Sequence, residues 1–184
     1  MVKKRYVNFI PNEHQKSVNH IDFLGLYDKG FRVCLIDIDN TLVSYQQHEP
    51  TDLTISLLEK IESIGFKLLL ISNNNQKRVS EFSKNLHYPY ISSARKPLKK
   101  GFKKALTMLN EKDVKKVLNI GDQIMTDVLG GNRMGFYTIY VDPIMKKSDI
   151  LPTRINRKME AFFLNKARKH HKALFEKRFK YEKM

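Results

Sequence analysis

The stretch Phe31-Arg-Val-Cys-Leu-Ile-Asp-Ile-Asp-Asn-Thr-Leu42 decides how the rest of the chain is read. Its first half, Phe31 to Ile36, is an apolar run bounded by Gly30 and a polar turn. That pattern predicts a strand buried on both faces. Its second half sets two carboxylates, Asp37 and Asp39, just past the strand's end. In an open parallel sheet, ligands bind beyond the carboxyl ends of the strands.

Working outward, strand-like and helix-like segments alternate from about residue 30 to 142. Thr54 to Ile64 repeats apolar residues at Ile55, Leu57, Leu58 and Ile61 and stops at Gly65, which predicts a capped helix. Phe66 to Ile71 reads as a second buried strand, Gln76 to Leu86 as a helix, and Tyr88 to Ser92 as a short strand. Pro97 to Leu109 has helical spacing, Lys116 to Ile120 is strand-like, Thr126 to Met134 reads as a short helix, and Tyr137 to Val141 as a last strand. The alternation predicts the α/β class: a doubly wound, Rossmann-like parallel sheet covered on both faces. Residues 1–145 are read as one domain with its core at about 30–142, and 146–184 as a basic helical extension. Residues 1–29 read as irregular, with a short helix around Ser17 to Leu26.

Bulk properties bound the function. The chain has 184 residues, 41% of them apolar, with 11 Phe and 8 Tyr, enough for a buried core. The lone Cys34 excludes an internal disulfide and fits a reducing, cytoplasmic setting. Met1-Val-Lys-Lys-Arg5 is basic, but no apolar leader follows it, and no stretch approaches the ~20 apolar residues of a membrane-spanning helix. The formal net charge is +15, a surface that attracts anions without saying which. From Lys146 onward there are thirteen Lys and Arg against four Asp and Glu, so this segment carries much of that charge. Within it Ile155, Met159, Phe162, Phe163, Leu174, Phe175 and Phe179 recur at roughly helical spacing, predicting one or two amphipathic helices.

Four predicted strand ends present a coherent set: Asp37 and Asp39; Ser72-Asn73-Asn74; Arg95-Lys96-Pro97; and Gly121-Asp122 through Thr126-Asp127. These residue types suit phosphoryl transfer, which needs an in-line nucleophile, a proton for the leaving oxygen, and positive charge around the equatorial oxygens. A carboxylate can serve as nucleophile through an aspartyl-phosphate. Asp37, Asp39, Asp122 and Asp127 would repel one another without a cation, and all-oxygen ligands suit Mg²⁺. Ser72 and backbone N–H groups near Asn73 can bind phosphate oxygens, with Lys96 supplying charge.

In this order over residues 37–127, the motifs resemble the haloacid dehalogenase-like (HAD) phosphatase superfamily. Asp37-Ile-Asp-Asn-Thr-Leu-Val43 and Gly121-Asp-Gln-Ile-Met-Thr-Asp127 are similar to its subfamily IIIA, YqeG-type branch, which is associated with phosphatidylglycerophosphate phosphatases. The match extends through Gly131-Asn132-Arg133 and weakly to Asn156-Arg157. The resemblance implies Asp37 as nucleophile and Asp39 as acid/base. It implies metal contacts from the side chain of Asp37, the backbone carbonyl of Asp39 and Asp122, with Asp127 assisting, and phosphate binding by Ser72 and Lys96.

Only about thirty residues separate the first motif from the second, and about twenty the second from the third, too few for a sizeable cap domain. An open cleft favours a phosphate presented on something large, such as a lipid headgroup or a macromolecule. The basic extension has three readings: packing on its own domain, peripheral contact with anionic membrane at its inner face, or RNA or ribosome binding. The alternative function is therefore an RNA- or ribosome-associated binding protein on the same fold. Arg95 and Arg133 read equally as substrate contacts or solvated arginines; Asn74, Gln123 and Thr126 as rim residues or helix caps. His48, in the loop after the first motif, reads as an exposed loop histidine more readily than as one approaching the cleft. His170-His171 has no partner spacing for a metal, and Gly130-Gly131 reads as a turn at a helix end. Oligomeric state is not encoded in any of these patterns.

Overall fold

Four consecutive buried residues, Val33–Ile36, form the strand at the centre of a six-stranded parallel sheet in a computed structural model of the chain. The structure describes residues 6–145 and 151–179, of which 151–158 by backbone alone. In chain order the strands are β1 (Glu13–Gln15), β2 (Val33–Ile36), β3 (Lys67–Ile71), β4 (Tyr90–Ile91), β5 (Val117–Gly121) and β6 (Tyr137–Val141). They lie in the order β1-β6-β5-β2-β3-β4, every pair parallel. The chain runs outward from β2 to β4 and then returns to β5 on the other side of β2. The reversal point, between β2 and β5, is where an open sheet leaves a crevice at its carboxyl edge.

The helices are α1 (Phe23–Asp28), α2 (Asp52–Ser63), α3 (Gln76–Ser83), α4 (Lys99–Met108), α5 (Leu129–Met134), α6 (Leu151–His170) and α7 (Lys172–Arg178). Strand alternation sorts them into two layers. Cys34 and Ile36 pack with Phe23, Leu26, Leu58, Ile61, Val79 and Phe82 of α1, α2 and α3. Val33 and Leu35 pack on the opposite face with Phe102 and Ala105 of α4 and with Phe136. Each such fully buried side chain contributes ~1.5–3 kcal/mol, so the two layers pin the β2 end from both sides. The expected doubly wound α/β sheet is what the chain forms. Among the described residues only α2 lies between β2 and β3, and only α3 between β3 and β4, so no sizeable cap stands over the strand ends.

Three local expectations are corrected. Glu13–Gln15, expected to be irregular, pairs with β6 in the register Glu13↔Ile139. Three polar residues carry no strand periodicity; the exposed backbone edge of β6 recruits them. The helix expected over Thr126–Met134 begins instead as a π-helical turn, Ile124–Val128, that runs into α5. Gly130-Gly131 is no turn: both glycines lie inside α5, where an added Cβ would meet Phe102 at 2.6 Å and the Thr138 methyl at 2.6 Å. The turn that ends α5 uses Gly135, at φ +84°.

The basic segment is helical where it is described. Phe175 and Phe179 are buried with Ala167 against Ile10, Ile124 and Val128, whereas Met159 and Phe162 face solvent. Ile124 and Val128 belong to the π-turn that carries Asp127, so this packing lies directly behind a site loop. The 145/146 boundary, the Ile155 side chain and the Asn156-Arg157 side chains lie outside the described residues. No helix among the described residues is long and apolar enough to cross a membrane.

Candidate active site

β2 and β5 end side by side, Ile36 opposite Ile120, and so set Asp37 and Asp122 next to each other. Asp127 returns to the same point from the π-turn. Asp37, Asp122 and Asp127 are all buried, and each offers an oxygen such that the three lie within 4.8 Å of one another. Hard oxygen donors converging in this way suit a divalent cation. Lys96 is buried among them: its Nζ donates to Asp37 Oδ1 at 2.6 Å, to Asp127 Oδ1 at 2.6 Å and to the Ile71 carbonyl at 2.9 Å. Thr41 Oγ1 sits 3.4 Å from Asp37 Oδ2 and 3.5 Å from Asp122 Oδ1. The second oxygen of Asp127 accepts from the Gln123 N–H at 3.2 Å and the Thr126 hydroxyl at 3.1 Å.

Burial pushes the Asp37 carboxyl well above the usual aspartate range; Asp127, Asp122 and Asp39 add to the rise and Lys96 opposes it. Burial works to lower the Lys96 ammonium as well, yet the Asp127 and Asp37 carboxylates outweigh it and hold the group above an ordinary lysine. With all three carboxyls ionised the cluster would exceed the charge of one lysine, and a divalent cation would favour that ionised form.

Local sequence explains the loop shapes. Asn40 takes a left-handed φ of +63°, a conformation Asn tolerates better than most residues. Its N–H donates to the Val43 carbonyl at 2.7 Å, closing the turn after Asp39. Gly121 is required by close approach, since a Cβ there would stand 2.3 Å from Asp127 Cγ. After β3, three consecutive asparagines do three different things. Asn73 clamps the neighbouring loop through its amide, accepting from the Lys96 N–H at 2.6 Å and donating to the Lys96 carbonyl at 3.0 Å. Asn74 Nδ2 lies 3.3 Å from Asp39 Oδ2. Asn75 caps α3 by accepting from the Arg78 N–H at 2.9 Å. Ser72 is buried beside them, its Oγ accepting from the Asn74 N–H at 3.0 Å.

A family model described as haloacid dehalogenase-like hydrolase matches residues 25–135, more than half of the chain. The chain belongs to the haloacid dehalogenase-like hydrolase family. Within that family it is 40% identical over 157 residues to "Probable phosphatase YqeG" of Bacillus subtilis, covering 85% of this chain and 90% of the relative. It is 23% identical over 164 residues to the chloroplastic phosphatidylglycerophosphate phosphatase 1 of Chlamydomonas reinhardtii, covering 84% of this chain and 61% of that protein. Among solved structures, a haloacid dehalogenase-like hydrolase from Brucella suis superposes with a TM-score of 0.51 at 11% identity, over 72% of this chain and 97% of the other. An uncharacterized protein from Listeria monocytogenes superposes with a TM-score of 0.51 at 18% identity, over 67% of this chain and 88% of the other. At these identities the superpositions speak for the fold alone. The chain is thus an enzyme of the haloacid dehalogenase-like hydrolases, and its named relatives are phosphatases.

Asp37, Asp122, Asp127 and Lys96 meet in one cluster, with Ser72 and Asn73 on the adjoining loop. Asp39 stands apart from it. Its side chain is absent from the three-carboxylate cluster and is held by Arg78, whose Nε and NH2 donate to Asp39 Oδ1 at 3.1 and 2.8 Å. Arg78 was not among the residues singled out by sequence. It lies in α3, where an arginine among charged and polar neighbours reads as a solvated surface residue. His48 and Glu81, 3.3 Å apart and largely exposed, form a weak outer tie between the same two segments.

Proposed function

We infer that the chain is a Mg²⁺-dependent phosphomonoester hydrolase that works through an aspartyl-phosphate on Asp37. The observation that carries this reading is the contact of one buried lysine with two carboxylates of a three-carboxylate cluster at the reversal point of the sheet. Asp37 attacks phosphorus and Asp39 gives its proton to the departing alkoxide, leaving an acyl phosphate and an alcohol. Asp39, now ionised, takes a proton from water as that water attacks the acyl phosphate, which releases phosphate and restores both carboxyl groups. Lys96, the Ser72 hydroxyl and the Asn73 backbone N–H hold the transferring oxygens; the Asn73 side chain, occupied with Lys96, instead fixes the loop.

Asp37, the Asp39 carbonyl, Asp122 and Asp127 are the groups that would hold Mg²⁺, and all are oxygen donors of the kind it takes. When bound, the ion supplies charge neutralisation between the nucleophile and the phosphate. Asp37→Asn should abolish phosphate release while leaving the circular dichroism spectrum unchanged; undiminished turnover would refute the assignment.

The finer reading is a phosphate on a lipid headgroup, of the phosphatidylglycerophosphate kind. The name of the algal relative supports it, and so does the open cleft. Exposed apolar side chains on the loops past the strand ends, Leu98, Ile144 and Met145, add to that support. Ile144 is tied directly to the catalytic loop by its N–H, 3.0 Å from the Asn40 carbonyl. This reading expects a cytoplasmic protein with peripheral contact at the inner face of the membrane, made of a 1–145 catalytic unit and a 146–184 extension packed on it. A Mg²⁺ panel comparing lipid phosphates in anionic vesicles with soluble sugar, nucleotide and protein phosphates decides it. Preference for soluble substrates would overturn the lipid assignment. The RNA- or ribosome-binding alternative rests on the charge of the extension and predicts salt-sensitive RNA retention without hydrolysis of any substrate on the panel.

A further inference from the structure

The guanidinium of Arg78 is buried, with a relative exposure of 7%, and reaches two places at once. Through Nε and NH2 it grips Asp39 Oδ1. Through NH1 and NH2 it donates to the His48 carbonyl at 3.0 Å and the Gln47 carbonyl at 2.7 Å. Asp39 Oδ2 is held in turn by Asn74. Both oxygens of this carboxylate are thus oriented by α3 and the loop that caps it, while the Asp37 carboxylate is oriented by Lys96. A charged, forked donor of this kind fixes a carboxylate plane in a way that a point charge cannot.

We propose that Arg78 is a positioning residue: it sets the orientation of the Asp39 carboxylate, and with it the range of leaving groups the enzyme can expel. The proposal rests on the acid/base reading of Asp39. A leaving alkoxide of high basicity needs a proton delivered as the P–O bond breaks, whereas a nitrophenolate departs without one. General-acid assistance is worth ~10²–10⁴-fold where it is needed. In the first step, which kcat/KM reads, misplacing the carboxylate therefore penalises alkyl phosphates and spares aryl phosphates; hydrolysis of the aspartyl-phosphate is common to both substrates. A residue that merely held the fold together would depress both alike.

The test compares glycerol phosphate with 4-nitrophenyl phosphate, at saturating Mg²⁺, for the full-length wild-type protein, Arg78→Ala, Arg78→Lys, Asp39→Asn and the Arg78→Ala/Asp39→Asn double variant. Expected is a fall in kcat/KM of about 10²-fold on glycerol phosphate for Arg78→Ala, with less than about threefold on 4-nitrophenyl phosphate. Arg78→Lys, which keeps the charge and loses the fork, should fall between Arg78→Ala and wild type. The double variant should be no slower on glycerol phosphate than Asp39→Asn alone, because the two act through one group. Parallel losses in kcat/KM on both substrates, or additive losses in the double variant, would overturn the proposal. Should Arg78→Ala fail to fold, Arg78→Lys carries the same comparison. If Asp39→Asn itself shows no leaving-group selectivity, the acid/base reading is what fails.

Discussion

The Lys96 ammonium lies 2.6 Å from Asp37 Oδ1, across 59 residues of chain. The same Nζ reaches Asp127 at 2.6 Å, so one cation joins the end of β2 to the turn after β5. All three side chains are nearly solvent-free. Removing one partner from such a buried group typically costs ~3–5 kcal/mol, because the remaining charges lose both water and partner. Lys96→Ala should therefore lower the midpoint of thermal unfolding sharply as well as abolish turnover. Lys96→Met, which keeps the volume, should still lack activity. A Lys96→Ala protein as stable as wild type would show that the ion pairs add nothing to the fold.

Mg²⁺ should stabilise the protein more at pH 8 than at pH 5. The folded Asp37 pKa is raised well above that of an ordinary aspartate, by burial first and then by its carboxylate neighbours, against the opposing pull of Lys96. Its contribution to stability is accordingly fullest below the ordinary value and is lost as pH rises through the folded pKa. At higher pH the ionised cluster weighs against the fold, and a cation relieves more. At about 100 times its Kd the ion adds ~2.7 kcal/mol where protons do not compete. Thermal unfolding with and without Mg²⁺ at the two pH values checks this, and equal shifts would contradict it.

Gly121→Ala should reduce turnover with little change in KM. The added methyl would stand 2.3 Å from Asp127 Cγ, so the carboxylate must move. Displacement of a reacting geometry by ~1 Å can cost ~10²-fold in rate. Steady-state kinetics at saturating Mg²⁺ are the check, with wild-type kcat the contrary result.

Phe175→Ala should destabilise the protein by ~3–5 kcal/mol, as expected for deleting a buried aromatic, and lower kcat too. Phe175 packs in the cluster that includes Ile124 and Val128, the first and last residues of the turn that carries Asp127. Phe162→Ser, at a position 56% exposed, should stay within about 0.5 kcal/mol of wild type. Chemical denaturation of both variants separates the two faces of the segment. Equal effects would mean that the packing face is misassigned.

Much of the fold was legible because its signals are local. An apolar run bounded by turn residues marks a buried strand wherever it occurs, and β2, β3, β5 and β6 all announce themselves in this way. The β1 strand does not, since Glu13-His14-Gln15 has no apolar face and owes its conformation to the open edge of β6. The basic segment showed apolar spacing, but spacing could not say whether Phe175 would meet the domain or a membrane. Packing against Ile10 and Val128 answers that for the described residues.

The candidate site divides in the same manner. That Asp37, Ser72 and Asp122 would converge followed from sequence alone, because each directly follows a strand and parallel strands end on one edge; Lys96 and Asp127, expected in the same crevice, lie farther along the loops after β4 and β5. Which partner each side chain takes was decided only by tertiary structure. Asn73 grips the Lys96 backbone, and Arg78 grips Asp39 from 39 residues away. Periodicity and strand-end position are properties of contiguous residues. A hydrogen bond or an ion pair depends on distances of a few ångströms, which exist only once the layers have packed.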